Sequence, residues 1–374
     1  MKYKLIKPIN ENYTAQEQVL TNRGIAYKDI QHYLHTTDND INDFKLLGEE
    51  KLKNAAAALI GAIDLGSRVS IIVDSDDDGF TSSALLINYL YDLFPSFVLN
   101  NIIWFIHDGK QHGLNDCVDW IIENEVNLVI VPDAGSNDIE ECKKLYQHHI
   151  PVIILDHHEL EIKESDSPAI IINDQLEPYP NKEFSGVGVV WQFCRYLDSL
   201  LGGNNADNYL DLVALGNTGD MMSLCSIETK HLINKGFEPD NIQNPFIYSI
   251  WQKNQFKLGQ HITSWGAAFY IVPFVNAIVR SGTQEEKELI FESMLSFKAC
   301  EEIPSNKRGH KLGEVERRVD QAMRTCTNVK NRQTRAQDAG MEFLENMIQE
   351  QSLLDNKVLL FLLEPGQVDR NIAG

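Results

Sequence analysis

No cysteine pair in this sequence has CxxC spacing; the six cysteines, at 117, 142, 194, 225, 300 and 326, are scattered. That disfavours a disulfide framework and a zinc ribbon, and points to reduced thiols in a cytoplasm. No apolar run reaches the roughly 18 residues a membrane span needs. Met1-Lys2-Tyr3-Lys4-Leu5 lacks the long apolar stretch of a secretory signal. A cytoplasmic location with no membrane contact is expected. Neither a GxSxG elbow nor a GxxxxGK(S/T) phosphate loop occurs, so serine-nucleophile and P-loop chemistry lack their signatures. Positive charge is scarce too: 33 Lys and Arg against 54 Asp and Glu leave a net charge of −21. Taken alone this argues against nucleic acid. A metal site also collects carboxylates, however, so their distribution matters more than their sum.

What is present is a series of apolar runs that end in acids. Ile153-Ile154-Leu155 runs into Asp156-His157-His158-Glu159. A β-branched run of this kind predicts a buried strand, and its polar end lies where open α/β sheets bind ligands. Val69 to Val73 leads into Asp74-Ser75-Asp76-Asp77-Asp78-Gly79 and then a helix from Thr81 to Leu93. Four carboxylates in five residues repel one another, so a compact fold needs cations to hold them together. An EF-hand is excluded, because its twelfth position, counted from Asp74, is Leu85. Asn127 to Val131 ends in Pro132-Asp133-Ala134-Gly135. Asp220 follows a buried helix from Tyr209 to Gly219. Each acid singly also fits a solvated turn.

Further strands are expected at Asn101–Ile106, at 152–155 and at Ala169–Ile172, with helices at Cys117–Asn124 and Asp138–His148 between them. The βαβαβα rhythm predicts an α/β fold with a doubly wound, mainly parallel sheet. The acid-bearing ends then face one edge, with enough ligands for two divalent ions. Such a pair suits phosphoester hydrolysis.

Around this core, residues 1–50 predict a helical arm. Thr14-Ala15-Gln16-Glu17 has capping-box spacing, and Gly24 is placed to end the helix. Another helix is expected at about 49–65. Ser185-Gly186-Val187-Gly188 opens a helix to Leu201, either for close packing or to offer amides to an anion. Arg280 lies in an apolar passage and needs an anion, a phosphate or a carboxylate. The loop 107–114 holds His112 and Gly113 and reads as a phosphate contact or a polar turn. Residues 307–335 carry nine basic residues against three acidic ones, a basic amphipathic helix that contacts nucleic-acid backbone or presents a solvated face. Val358–Leu363 predicts a strand.

The four motifs Asp74–Gly79, Asp133-Ala134-Gly135, Asp156-His157-His158 and Gly219-Asp220-Met221-Met222 together resemble the DHH phosphoesterase superfamily, named for the triplet at 156–158. Leu20–Ile25, Ser185–Gly188 and Asn276-Ala277 with Arg280 resemble the RecJ-type single-strand-specific exonucleases within it. The resemblance implies a metal-dependent exonuclease that hydrolyses single-stranded DNA 5′→3′ with water activated by two Mn2+ or Mg2+ ions. Asp76, Asp78, Asp133, His157 and Asp220 would be metal ligands, with Asp133 bridging; Asp74 would be a ligand or an acid that orients one. Asp156 would orient His157, and His158 would bond the scissile phosphate or leaving oxygen. Arg280 would hold a substrate phosphate, and His112, Gly113, Ser185, Gly186 and Asn276 would complete the substrate site. Implied partners are single-stranded DNA and single-strand-binding, recombination or replication proteins.

The resemblance also divides the chain into an arm (1–50), a DHH catalytic domain with a helical subregion (51–306), a basic linker helix (307–353) and the start of a DHHA1-like domain (354–374). Asn371-Ile372-Ala373-Gly374 resembles that domain's opening, which makes the chain look truncated there. The family's Arg and Gly-Tyr-Gly near 107–114 are replaced by His112-Gly113-Leu114, which leaves terminal-nucleotide contacts open. Two other readings stay open: a phosphodiesterase for short oligonucleotides or cyclic dinucleotides, and a non-catalytic nucleic-acid-binding relative.

Overall fold

The computed structural model describes residues 8–109, 111–161, 163–355, 358–364 and 366–368. Thr14 opens the first described helix. Its hydroxyl accepts from the Glu17 amide, and the Glu17 carboxylate accepts from the Thr14 amide, the reciprocal cap expected from the spacing. α1 (Ala15–Asn22) ends before Gly24, whose φ of +98° suits a residue without Cβ. The arm is bound to the body: Ile25, Ile30 and Leu47 are buried. Asn42 donates from its backbone and its side chain to Glu228, at 2.9 and 2.7 Å. α2 (Glu49–Leu65) then lays Leu52, Ala56 and Leu59 into the core.

β1 (Val69–Val73), β2 (Ile102–Ile106), β3 (Leu128–Pro132), β4 (Val152–Asp156) and β5 (Ile170–Asn173) pair in parallel, in the order β2-β1-β3-β4-β5. Side chains alternate between the two faces. Val69, Ile71, Val73, Ile130 and Leu155 join a larger core; Ile72, Val129, Val131 and Ile154 join a smaller one. In chain order the helices are α3 (Asp77–Leu93), α4 (Pro95–Asn101), α5 (Val118–Glu123), α6 (Ile139–Gln147), α7 (Gly186–Leu201) and α8 (Leu210–Gly219). α3, α7 and α8 cover the larger core around Phe80, Trp191 and Leu215; α5 and α6 cover the smaller with Ile121 and Leu145. Two covered faces are what a doubly wound sheet needs. Each buried Ile or Leu contributes about 1.5–3 kcal/mol.

Four expectations need correction. α3 starts at Asp77 rather than Thr81, because Asp76 caps it and acids favour a helix's first turn. The basic stretch is not helical from 307: β6 (Glu302–Pro304) pairs antiparallel with β7 (Val315–Arg317), so the hairpin crosses the expected 306/307 boundary. The long helix runs from Arg318 to Glu350, and Val319, Ala322, Met323, Cys326 and Val329 bury its first turns in the main body. No strand forms at 358–363; Val358, Leu360 and Leu362 are exposed, and no described strand lies beside them to pair. Asn371–Gly374 fall outside the described residues. No described helix is long and apolar enough to cross a membrane.

Candidate metal centre

The strand order reverses at β1 and β3, with β2 on one side and β4 and β5 on the other. The crevice beyond such a reversal is where these sheets hold ligands. Asp74 follows β1, Asp133 follows β3 and Asp156 ends β4. Asp76 caps α3 by accepting from the Gly79 amide at 2.9 Å. Asp220 caps the carboxyl end of α8.

His157 Nε2 lies 3.2 Å from Asp133 Oδ1, 3.5 Å from Asp220 Oδ2 and 3.9 Å from Asp78 Oδ2. Donor atoms gather in three overlapping sets, each within 4.8 Å: Asp74 with Asp76 and Asp133, Asp133 with His157 and His158, and Asp78 with His157 and Asp220. Asp133 and His157 each belong to two sets. Asp133 holds a φ of 65°, a left-handed backbone that costs energy for a residue with a Cβ. Both its carboxylate oxygens, and His157 Nε2, are buried with no hydrogen-bond partner among the described residues. Buried polar atoms are nearly always paired, so these three mark a place for cations. Burial, then the neighbouring carboxylates, pushes Asp133 well above the usual carboxylate range, Asp76 to about 6 and Asp220 to about 7. Carboxylate oxygens with an imidazole nitrogen fit divalent ions such as Mn2+.

Backbone amides hold two of the cluster's carboxylates in place. Asp78 accepts from the Gly186 amide at 2.6 Å and from the Val187 amide at 3.1 Å, the amino end of α7. A Cβ on Gly186 would lie 2.4 Å from Asp133 Oδ1, so only glycine fits. Ser185 and Gly186, expected in the substrate site, are both buried: the Gly186 amide serves Asp78, and the Ser185 amide donates to Asn217 Oδ1 at 3.3 Å. Asp74 accepts from His112 Nδ1 at 2.7 Å and from the Gly113 amide at 3.2 Å. Gly113 thus anchors Asp74, while the exposed His112 ring reaches the solvent side.

Asp156 also has a different partner from the one expected. It accepts from His158 Nδ1 at 2.7 Å, from the amides of His157 and His158, and from the Ser136 amide at 3.0 Å. It orients the ring of His158, not that of His157. Burial, the largest influence, would raise Asp156, but the His158 bond, the charge of His158, the Ser136 bond and His157 together outweigh it and hold the acid at about 2. The Asp156–His158 bond lifts His158 to about 9, whereas burial lowers His157. His158 is thus a cation beside a neutral His157.

Asn276 and Arg280 do not join this cluster. α9 (Ser264–Tyr270) precedes α10 (Val272–Ser281), where the two residues stand one turn apart. Arg280 lines a separate cavity of about 280 Å³ with Gly109, Lys287 and Arg332. Of the nine basic residues at 307–335, Lys307, Arg317, Arg318, Arg324 and Arg332 are engaged in ion pairs with Glu316, Asp320, Glu292, Glu301 and Glu286. The expected basic face is largely neutralised within the fold.

Two contributors were not singled out from sequence. Asp77 is buried against Gly219 with both oxygens unpartnered among the described residues, adding a further acid behind the cluster. Asn173, the last residue of β5, donates to Ser136 Oγ at 3.0 Å and to the His158 carbonyl at 2.9 Å. Its signal was a polar residue at a strand end.

Residues 68–217 match the DHH family, N-terminal domain. The SPbeta prophage-derived YorK of Bacillus subtilis (strain 168), whose name describes a single-strand DNA-specific exonuclease, is 34% identical over 375 residues, covering 100% of this chain and 62% of its own. The single-stranded-DNA-specific exonuclease RecJ of the same organism is 32% identical over 212 residues, covering 55% of this chain and 25% of its own. The chain therefore spans less than two thirds of the length of these relatives. A crystal structure of RecJ in complex with Mn2+ from Thermus thermophilus shares the fold at a TM-score of 0.61 and 20% identity, covering 82% of this chain and 40% of that one. Residues 68–217 thus match the DHH family, in a chain that is similar over its whole length to a protein named as a single-strand DNA-specific exonuclease.

Proposed function

We propose that this chain is a metal-dependent exonuclease that hydrolyses single-stranded DNA from its 5′ end, with two Mn2+ or Mg2+ ions. The observation that carries the reading is Asp133: it is shared by two donor sets, and both its oxygens are buried without a partner among the described residues. Asp76, Asp78, Asp133, His157 and Asp220 would hold the ions, with Asp74 completing one set. Bound there, the ions would lower the pKa of a shared water and neutralise charge on the phosphate. His158 has Nδ1 committed to Asp156, which leaves Nε2 as its free donor toward a phosphate or leaving oxygen. His112 presents a second imidazole at the rim, raised by Asp74. Arg280 and Asn276 would hold a phosphate away from the reacting bond. The names of the relatives support single-stranded DNA as substrate. All six cysteines are free, in keeping with a role in the cytoplasm beside recombination or replication proteins.

The test is a 5′-labelled single-stranded oligonucleotide incubated with Mn2+, beside an Asp133→Ala variant. Immediate release of labelled mononucleotide by the parent alone is expected. Cleavage of di- to tetranucleotides without attack on long DNA would replace this reading with a short-oligonucleotide phosphodiesterase.

A further inference from the structure

The carboxylate cluster is a poor place to grip a polyanion, and the chain as a whole carries a net charge of −21. Backbone electrostatics usually dominate nucleic-acid affinity, so here much of the affinity must come from elsewhere. A groove of about 580 Å³ opens beside the cluster, between the arm and α9. Asn217 and Thr218, in the last turn of α8 just before Asp220, form one end of it. Met221 follows with a φ of 58° and is 86% exposed. The other wall is α9, where Trp265 and Phe269 stand one turn apart with ring centroids 4.9 Å from each other. They are 61% and 60% exposed, whereas most aromatic rings of the body are buried or half-buried. Arg23, from the end of α1, is the single charged side chain among the described lining residues. Its guanidinium has no hydrogen bond or ion pair among the described residues.

We propose that this groove is a base-stacking subsite: Trp265 and Phe269 stack bases of the single strand held at the carboxylate cluster, and Arg23 pairs with a phosphate between them. The identity of the strand rests on the nuclease reading above. Asn217, Thr218, Met221 and Met222, which line the groove, flank Asp220 of the cluster in the chain, so a strand bound in the groove lies next to the cluster. It holds no carboxylate among its described lining residues, and its rings offer the sequence-tolerant contact that unpaired bases make with aromatics. A double helix would gain nothing there, because its bases are already stacked.

The test is binding of a fluorescein-labelled oligothymidylate to the whole chain at low salt in EDTA, followed by anisotropy. EDTA prevents hydrolysis of the probe. Trp265→Ala and Phe269→Ala are each expected to weaken binding roughly 5- to 150-fold, the range for one stacked base. Trp265→Phe should restore most of the affinity but lose the quenching of tryptophan fluorescence seen on adding oligonucleotide to the parent. Phe256→Ala, at a fully exposed ring outside the groove, should bind like the parent. Equal affinity of Trp265→Ala and parent, or no binding by either, overturns the proposal and leaves the rings to a protein partner. The nuclease reading is judged separately, by cleavage with Mn2+: a parent that binds and quenches but never cuts would sink that reading and leave the stacking subsite standing.

Discussion

His157 Nε2 faces Asp133 Oδ1 across 3.2 Å, and neither atom has a hydrogen-bond partner among the described residues. Two electron-pair donors held this close need a proton or a cation between them. Asp133→Asn keeps the shape and removes the charge. Isothermal titration calorimetry should find Mn2+ affinity reduced by more than the roughly 10–100-fold that losing an outer partner costs, with an unchanged circular dichroism spectrum. Unaltered Mn2+ binding would remove Asp133 from the ligand set.

The Asp156–His158 bond sets the charge of the exposed imidazole. In Asp156→Asn the His158 pKa should fall from about 9 toward its ordinary 6.5, measurable by NMR titration of the metal-free protein. If His158 acts on the phosphate as an imidazolium, kcat should drop by about 100- to 10,000-fold at neutral pH, the usual worth of a positioned proton donor. A variant with normal kcat would show that His158 is only a structural neighbour.

The acids proposed as ligands titrate high, which gives the metal-free protein an unusual pH profile. Asp76 at about 6 and Asp220 at about 7 are raised above the ordinary value of 3.8. Between those limits the folded chain binds more protons than the unfolded chain. Stability of the metal-free protein should therefore fall as pH rises from about 4 through 7. Mn2+ displaces those protons, so the rise in Tm that it causes should grow over the same window. Thermal melts with and without Mn2+ at several pH values measure both trends. A shift in Tm independent of pH would contradict them.

Gly186 admits no side chain. In Gly186→Ala the new methyl would sit 2.4 Å from Asp133 Oδ1 and 2.6 Å from its Cα. The backbone after β3 must move, at a cost of about 1–3 kcal/mol. Urea unfolding should report that loss, and Mn2+ affinity should fall with it, because the displaced residue is the one proposed as the shared ligand. Loss of stability with intact Mn2+ affinity would uncouple the two.

The strands were legible because their apolar runs are short, β-branched and bounded by acids or turns; β1 agrees residue for residue, and the others shift by about one. The acids at 74–78 were harder to place. Their mutual repulsion reads as a turn, yet a helix's amino end accepts negative charge, so α3 begins inside them. α4 escaped notice because Pro95 looks like a break, although proline suits a helix's first position. The β6–β7 hairpin is three residues deep and joins segments eleven residues apart, too little pattern to detect. The residues that gather in the cluster could be named from strand and helix ends, but who orients whom could not. That Asp156 turns to His158, or that Gly186 serves Asp78, depends on distances no spacing encodes. Arg280 reads from its apolar surroundings as anion-seeking, but only the fold places it in a cavity of its own.

The donor atoms come from the ends of β1, β3 and β4, the start of α3 and the end of α8. They span residues 74 to 220, and the strand that carries Asp133 pairs between two others. A growing chain that has emerged from the ribosome only as far as β4 still lacks Asp220. No partial product of synthesis, and no proteolytic fragment cut between those segments, owns a complete cradle. A centre assembled only from such distant pieces comes into being as a whole when the sheet closes, and metal binding is then itself a readout of complete folding.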